Sequence, residues 1–176
     1  MNNEHLEYLT TLIREIPDFP QPGITFRDIT PLLFIPKGRK YAINILVEQI
    51  EKFHPTVIAG IEARGFIFGS IIADQLDLPL AIIRKPGKLP AEIHEVSYEL
   101  EYGTDSLQIH TEPNLINHRV LIIDDLLATG GTVLAAKKLI ERASGIVVAC
   151  GFIVELKELE GRIHLYDTPV CSVLKL

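Results

Sequence analysis

Two adjacent carboxylates, Asp124 and Asp125, close the apolar run Val120-Leu-Ile-Ile123. Three residues after the second acid comes Ala128-Thr-Gly-Gly-Thr132. Carboxylates placed there can hold ribose hydroxyls or a hydrated Mg²⁺. A stretch of small and hydroxylated residues that opens a helix can turn successive backbone N–H groups toward one point, which makes a phosphate cradle. No Gly-Lys-Ser/Thr follows four residues after a first glycine, so this is not a Walker loop, and it is not the G-x-G-x-x-G dinucleotide fingerprint. The anion that suits it is a single phosphate monoester. Alone, a strand ending in Asp-Asp also fits a solvated strand end; the Thr-Gly-Gly-Thr run favours the ligand site.

Such a site needs a sheet and a helix to hold it. An apolar run without alternation reads as a strand covered on both faces of a parallel sheet. Ligands of open α/β sheets bind beyond the carboxyl ends of such strands. The spacing of Leu6, Leu9, Leu12, Ile13 and Ile16 predicts an opening helix that ends at Pro17. Pro20, Pro22 and Gly23 force an irregular connection. A second helix is predicted from about Arg39 to Phe53, a strand over Thr56–Ile61, a helix over Gly65–Leu76 and a strand over Pro79–Arg84. Residues 85–94 lack periodicity. Val96, Tyr98, Leu100 and Tyr102, then Leu107 and Ile109, alternate with polar residues around Gly103-Thr-Asp105, as in a half-exposed hairpin outside the parallel sheet. A strand at Val120 that ends on the two acids, a helix after Gly131, and strands Ile146–Val154 and Val170–Leu174 complete the pattern. The expected fold is one α/β domain over residues 1–176: a doubly wound, mainly parallel sheet flanked by helices, with a hairpin insertion at about 85–111.

Bulk properties narrow the function classes. A chain of 176 residues can bury a two-sided core. A formal charge of −6 argues against a general nucleic-acid binder. No apolar run approaches a membrane span, and Met-Asn-Asn-Glu-His lacks the basic start of a signal peptide, so a cytoplasmic location is expected. Cys150 and Cys171 are expected to be buried, reduced thiols. The six histidines show no zinc-binding spacing.

The segment Asp124-Asp-Leu-Leu-Ala-Thr-Gly-Gly-Thr132 closely resembles the signature of the type I phosphoribosyltransferases that use phosphoribosyl pyrophosphate (PRPP), in the form of their adenine-specific branch. Three further segments resemble that branch in the same order: Phe19-Pro-Gln-Pro-Gly-Ile-Thr-Phe-Arg-Asp-Ile-Thr-Pro31, Gly60-Ile-Glu-Ala-Arg-Gly-Phe-Ile-Phe-Gly69, and Ile83-Arg-Lys-Pro-Gly-Lys-Leu-Pro90 with Ser97-Tyr-Glu-Leu-Glu-Tyr-Gly103. The likeness runs from about Pro17 to Gly161. It implies an enzyme that makes AMP and pyrophosphate from adenine and PRPP with Mg²⁺, the metal being held mainly by PRPP and water. It also implies a homodimer, and neither nucleic acid nor membrane as a partner.

The resemblance carries roles for individual residues. Asp124 and Asp125 attend the ribose hydroxyls, while Ala128, Thr129, Gly130, Gly131 and Thr132 grip the 5′-phosphate. Glu62, Ala63 and Arg64 form the pyrophosphate turn, with a non-proline cis peptide at Glu62–Ala63, and Arg84, Lys85, Lys88 and Tyr102 meet the leaving group. Ile24 and Thr25 read the base edge through main-chain atoms, Phe26 and Leu126 stack on its faces, and Arg27 joins the base or the closed hood. The segment 85–102 acts as a flexible hood that expels water, bringing the general acid Glu101 to N7 of adenine. Two alternatives stay open: a sibling enzyme for a 6-oxopurine or orotate, and a non-catalytic PRPP sensor, against which the acidic charge and the hood weigh.

Overall fold

A computed structural model describes residues 3–99 and 104–176. Glu101 and Tyr102, with Leu100 and Gly103, lie outside the described residues. In chain order the elements are α1 Asn3–Thr11, β1 Arg14–Ile16, β2 Phe26–Asp28, α2 Thr30–Phe34, α3 Pro36–Ile50, β3 Val57–Ile61, α4 Arg64–Leu76 and β4 Leu80–Ile83. There follow β5 Ile93–Glu99, β6 Thr104–His110, β7 Arg119–Leu127, α5 Gly131–Arg142, β8 Ile146–Glu155 and β9 Val170–Lys175. Among the described residues no helix is long and apolar enough to cross a membrane.

The central sheet has the order β4-β3-β7-β8-β9, and every pairing within it is parallel. β7 lies in the middle, and its Val120, Leu121, Ile122 and Ile123 are fully buried. Alternate side chains feed two cores. Ile58, Leu121, Ile123 and Ile153 meet α1, α3 and α4 on one face. Val57, Ala59, Val120, Ile122 and Phe152 meet α5 and the β5–β6 hairpin on the other. From β3 the chain winds outward through α4 to β4; from β7 it winds the opposite way through α5 to β8. The expected doubly wound sheet is therefore present, and its winding reverses between β3 and β7. In folds of this kind that reversal is where ligands bind.

The hairpin forms its own two-stranded sheet, paired from Ile93↔His110 to Glu99↔Thr104. It joins the rest of the protein at the edge of β4 through an isolated bridge between Arg84 and Gln108. Thr104 and Asp105, expected in the turn, are in β6, because they pair with Glu99 and Tyr98.

Several expected boundaries move. The opening helix stops at Thr11, where the Thr10 and Thr11 hydroxyls donate to the carbonyls of Leu6 and Tyr8. Ile16 instead lies in β1, paired antiparallel with β2. A hydrophobic spacing cannot reveal a partner strand twelve residues away. The short helix α2 was not foreseen, and α3 begins at Pro36 rather than Arg39. Prolines near the start of each suit a first turn, which has N–H groups to spare. β7 does not end on its acids but continues to Leu127, because β8 reaches Glu155 and offers Phe152 and Val154 as partners to Asp124 and Leu126.

Candidate active site

The turn after β3 and the second half of β7 meet at the winding reversal. A Cβ on Gly65 would lie 2.7 Å from the Ile123 carbonyl oxygen and 3.0 Å from Oδ1 of Asp124, so only glycine lets α4 start this close to the acids. The Glu62–Ala63 peptide bond in the same turn is cis, as expected from the resemblance. Arg64 Nε stands 2.9 Å from Asp125 Oδ2, and its guanidinium also lies over the Phe26 ring at 5.6 Å. Arg64 thus ties one acid to the ring of β2. Oδ2 of Asp125 is buried with no hydrogen bond of good alignment, so its contact with Arg64 is ionic.

Burial raises the Asp124 carboxyl well above the ordinary range, and the neighbouring Asp125 charge adds to the rise. Asp125 is raised by burial too, against the pull of Arg64. Asp124 Oδ1 accepts the Asp125 backbone N–H at 2.8 Å. Two carboxylates held this way, with one cation between them, hold a proton more readily than free acids. They can exchange it for hydroxyl donors or a cationic ligand.

Beyond Leu127 the residues 128–132 wall a small pocket of about 80 Å³, completed by Asp124, Leu126 and Phe152. Gly130 has φ +87°, which turns the chain into α5. Gly161 supports the loop from behind: a Cβ there would stand 2.1 Å from the Ala128 carbonyl oxygen and 2.9 Å from the Gly130 nitrogen. Gly161 is held in turn by its neighbour. Arg162 donates to both oxygens of the buried Glu155 carboxylate at 2.7 and 2.6 Å and to the Val170 carbonyl at 2.9 Å. These hydrogen bonds from Arg162 hold the Glu155 carboxyl below its usual range.

The basic loop gathers around Glu62. Its carboxylate accepts the Lys85 backbone N–H at 2.9 Å and the Arg84 guanidinium at 3.2 and 3.3 Å, and these bonds lower its pKa in that order. The Glu62 side chain is thus a counter-ion that orients Arg84, and what the turn offers an anion is its backbone and Arg64. Lys85 Nζ pairs with Asp105 and donates to the Tyr98 hydroxyl at 3.1 Å, both on the hairpin. Burial would lower the Lys85 pKa, but these two partners raise it on balance. The Lys88 carbonyl accepts from Arg84 at 3.2 Å.

In the 19–26 segment, Phe19 packs edge-on against Phe26 with centroids 5.2 Å apart, and the Ile24 carbonyl accepts the Phe19 N–H at 3.1 Å. Thr25 completes the approach to β2, between Ile24 and Phe26. Arg27 is ion-paired with Glu15, its cross-strand neighbour. The structure therefore joins Phe26 to Arg64 and the acids, and Leu126 to the 128–132 loop. Arg84, Lys85 and Lys88 form a second cluster around Glu62. Cys150 and Cys171 are buried free thiols; burial pushes Cys150 up to about 12, so it is no nucleophile.

Gly161, Arg162, Glu155, Asp105 and Gln108 escaped the sequence reading. Glu160-Gly161-Arg162 signals a turn, but nothing local says that the turn backs a loop thirty residues earlier.

Comparison with known proteins adds independent findings. A family model described as the phosphoribosyl transferase domain matches residues 32–172. The adenine phosphoribosyltransferase of Synechococcus sp. is 51% identical over 166 residues, covering 94% of this chain and 97% of its own. The crystal structure of adenine phosphoribosyltransferase from Thermoanaerobacter pseudethanolicus has a TM-score of 0.94 at 49% identity, covering 97% of this chain and 99% of that one. The Saccharomyces cerevisiae adenine phosphoribosyltransferase, crystallised with an imino-altritol bisphosphate and adenine, has a TM-score of 0.90 at 33% identity, covering 98% and 99%.

Two outcomes follow from this geometry. Asp124→Asn should raise the thermal midpoint of the ligand-free protein by a few degrees, since about 1 kcal/mol corresponds to roughly 2–4 °C at this size. A carboxyl whose folded pKa is raised destabilises the fold above that pKa. The gain should therefore be largest at alkaline pH and shrink as pH falls toward the ordinary carboxyl range. Calorimetric scans of both proteins across pH measure it, and a lower midpoint at pH 8 would contradict it. Gly161→Ala should push the 128–132 loop out of place and weaken ribose 5-phosphate binding on the order of tenfold, about 1.4 kcal/mol, in titration calorimetry. An unchanged affinity would remove the loop from phosphate binding.

Proposed function

Since the chain belongs to the phosphoribosyl transferase family, we propose that it is a purine-salvage enzyme, transferring ribose 5-phosphate from PRPP to N9 of adenine and releasing pyrophosphate. It works as a homodimer in the cytoplasm. The observation that carries this reading is the junction of the twin acids with a glycine-backed loop at the winding reversal. Its support is a chain half-identical, over nearly its whole length, to adenine phosphoribosyltransferases.

The anomeric carbon gains oxocarbenium character as its bond to pyrophosphate breaks, so the protein must fix the ribose, neutralise the leaving group and aim the base. Residues 128–132 anchor the 5′-phosphate, and Asp124 and Asp125 accept from the ribose hydroxyls. Arg64 and the backbone of the 62–64 turn, with Arg84, Lys85 and Lys88, take up the charge of the departing pyrophosphate. Adenine lies between Phe26 and Leu126, its edge read by main-chain atoms at Ile24 and Thr25, with Arg27 close by. Glu101 and Tyr102, between β5 and β6, arrive with the hood: Glu101 donates a proton to N7 as N9 becomes the nucleophile, and Tyr102 meets the pyrophosphate.

The donor set fits a magnesium ion carried by the substrate. Among the described residues no three His, Cys, Asp or Glu side chains converge into a cage. Asp125 keeps a buried oxygen without an aligned donor, suited to a ribose hydroxyl or a hydrated ion. Bound there, Mg²⁺ supplies positive charge to the pyrophosphate oxygens.

The test follows AMP formation from PRPP and Mg²⁺ with adenine, hypoxanthine, guanine and orotate in parallel. Adenine should be the preferred base by orders of magnitude. Preference for another base would reassign the enzyme to a sibling activity, and no turnover with any base would leave only a PRPP-binding role. Glu101→Gln should lower kcat by about 10²–10⁴, the usual span for general acid–base catalysis. Wild-type turnover would remove Glu101 from the mechanism.

A further inference from the structure

Gln108 lies in β6, in the middle of the hairpin, yet is only 7% exposed and spends every hydrogen-bonding group on one task. Its backbone N–H donates to the Arg84 carbonyl at 2.8 Å, and its carbonyl accepts the Arg84 N–H at 2.9 Å. Its side-chain Oε1 accepts the Gly87 N–H at 3.2 Å, and its Nε2 donates to the Glu95 carboxylate, its direct cross-strand neighbour. The carboxamide is polar in a fixed sense, with the acceptor toward the basic loop and the donor toward the opposite hairpin strand. A second tie runs beside it, from Lys85 Nζ to Asp105 and the Tyr98 hydroxyl. Across the loop, Arg84 Nη1 donates to the Lys88 carbonyl and closes the curl of residues 84–88.

From these contacts we infer that Gln108 is a positioning residue: its buried carboxamide clasps the 84–88 loop to the paired strands of the hairpin, so that the cations meant for pyrophosphate keep one arrangement. The inference rests on the proposed transferase reading for the identity of the anion. The physical reason for the clasp is accounting. The loop holds Pro86, which has no N–H, and Gly87, which has φ +74°, so it has few internal bonds to keep its shape. The Gly87 N–H, pinned by a buried acceptor, replaces them. Losing that acceptor leaves the donor unpaired and the curl free to open, which spreads Arg84, Lys85 and Lys88 apart without touching the base site.

The experiment compares Gln108→Met, similar in size but unable to accept from Gly87, with Gln108→Glu, which keeps the acceptor while the exposed Glu95 can turn to solvent. Gln108→Met should raise KM for PRPP, and Kd for magnesium pyrophosphate in calorimetry, on the order of tenfold, with KM for adenine unchanged and kcat largely kept at saturating PRPP. Gln108→Glu should recover most of the loss. Unchanged PRPP and pyrophosphate affinities in Gln108→Met would overturn the clasp. So would a fall in kcat alone, or a Gln108→Glu protein as impaired as Gln108→Met, since either describes plain core damage. If Gln108→Met does not fold, amide exchange in the native protein decides: the Gly87 N–H should exchange slowly, and fast exchange sinks the idea. A native protein that makes no AMP fails the transferase reading, while pyrophosphate calorimetry and the Gly87 amide still judge the clasp separately.

Discussion

The site depends on how closely two segments approach at the reversal of sheet winding. The β3–α4 turn must come so near β7 that a single methyl group at Gly65 would strike the Ile123 carbonyl. That approach puts Arg64 on Asp125 and over Phe26, and so joins three segments far apart in sequence. The neighbouring strands β3 and β7 set the distance, because their registers place Gly60 beside Ile123.

A second constraint is charge. The half-buried Asp124 and the buried Asp125 sit side by side at the start of the 128–132 loop with one guanidinium beside them, and desolvation pushes both toward the protonated form. The fold carries this as a cost, and the hydrophobic faces of β7 on either side support it: Val120 to Ile123 are wholly buried. Polar groups under strain of this sort are common where a protein must receive a charged or hydroxyl-rich ligand. By contrast, the second cluster is electrostatically settled. Glu62 and Asp105 each hold one of its cations, and Gln108 fixes the loop that carries them. The two acids thus carry unfavourable charge before any ligand arrives, while the cations around Glu62 are already in order.

Positioning in this protein is done largely by residues with no chemistry of their own. Gly161 backs the 128–132 loop and is fastened through Arg162 to Glu155 and the Val170 carbonyl. Gln108 does the same service for the basic loop. Each arrangement rests on a buried polar side chain, Glu155 or Gln108, whose hydrogen bonds cross between elements, and such side chains specify a unique arrangement when every group is satisfied.

The alternation of strand and helix from β3 onward, the two-sided burial of β7, the hairpin outside the sheet and the loop after the acids could all be read from residues in a row. Each is a local pattern: an apolar run, a two-residue alternation, a cluster of small hydroxylated residues. The end of the first helix, the β1–β2 ribbon and the extension of β7 to Leu127 were not legible, because the partners that decide them lie elsewhere in the chain. The same holds inside the site. Amino-acid types at 124–132 and 62–64 announced acids, a cradle and an anion turn. Only the folded chain decided that Arg64 faces Asp125, that Arg27 is occupied by Glu15, that Glu62 serves Arg84, and that Gly161 and Gln108 hold the loops. Chemistry is carried by residue type, which a sequence states outright; orientation is carried by contacts between distant segments, and those exist only once the chain has closed on itself.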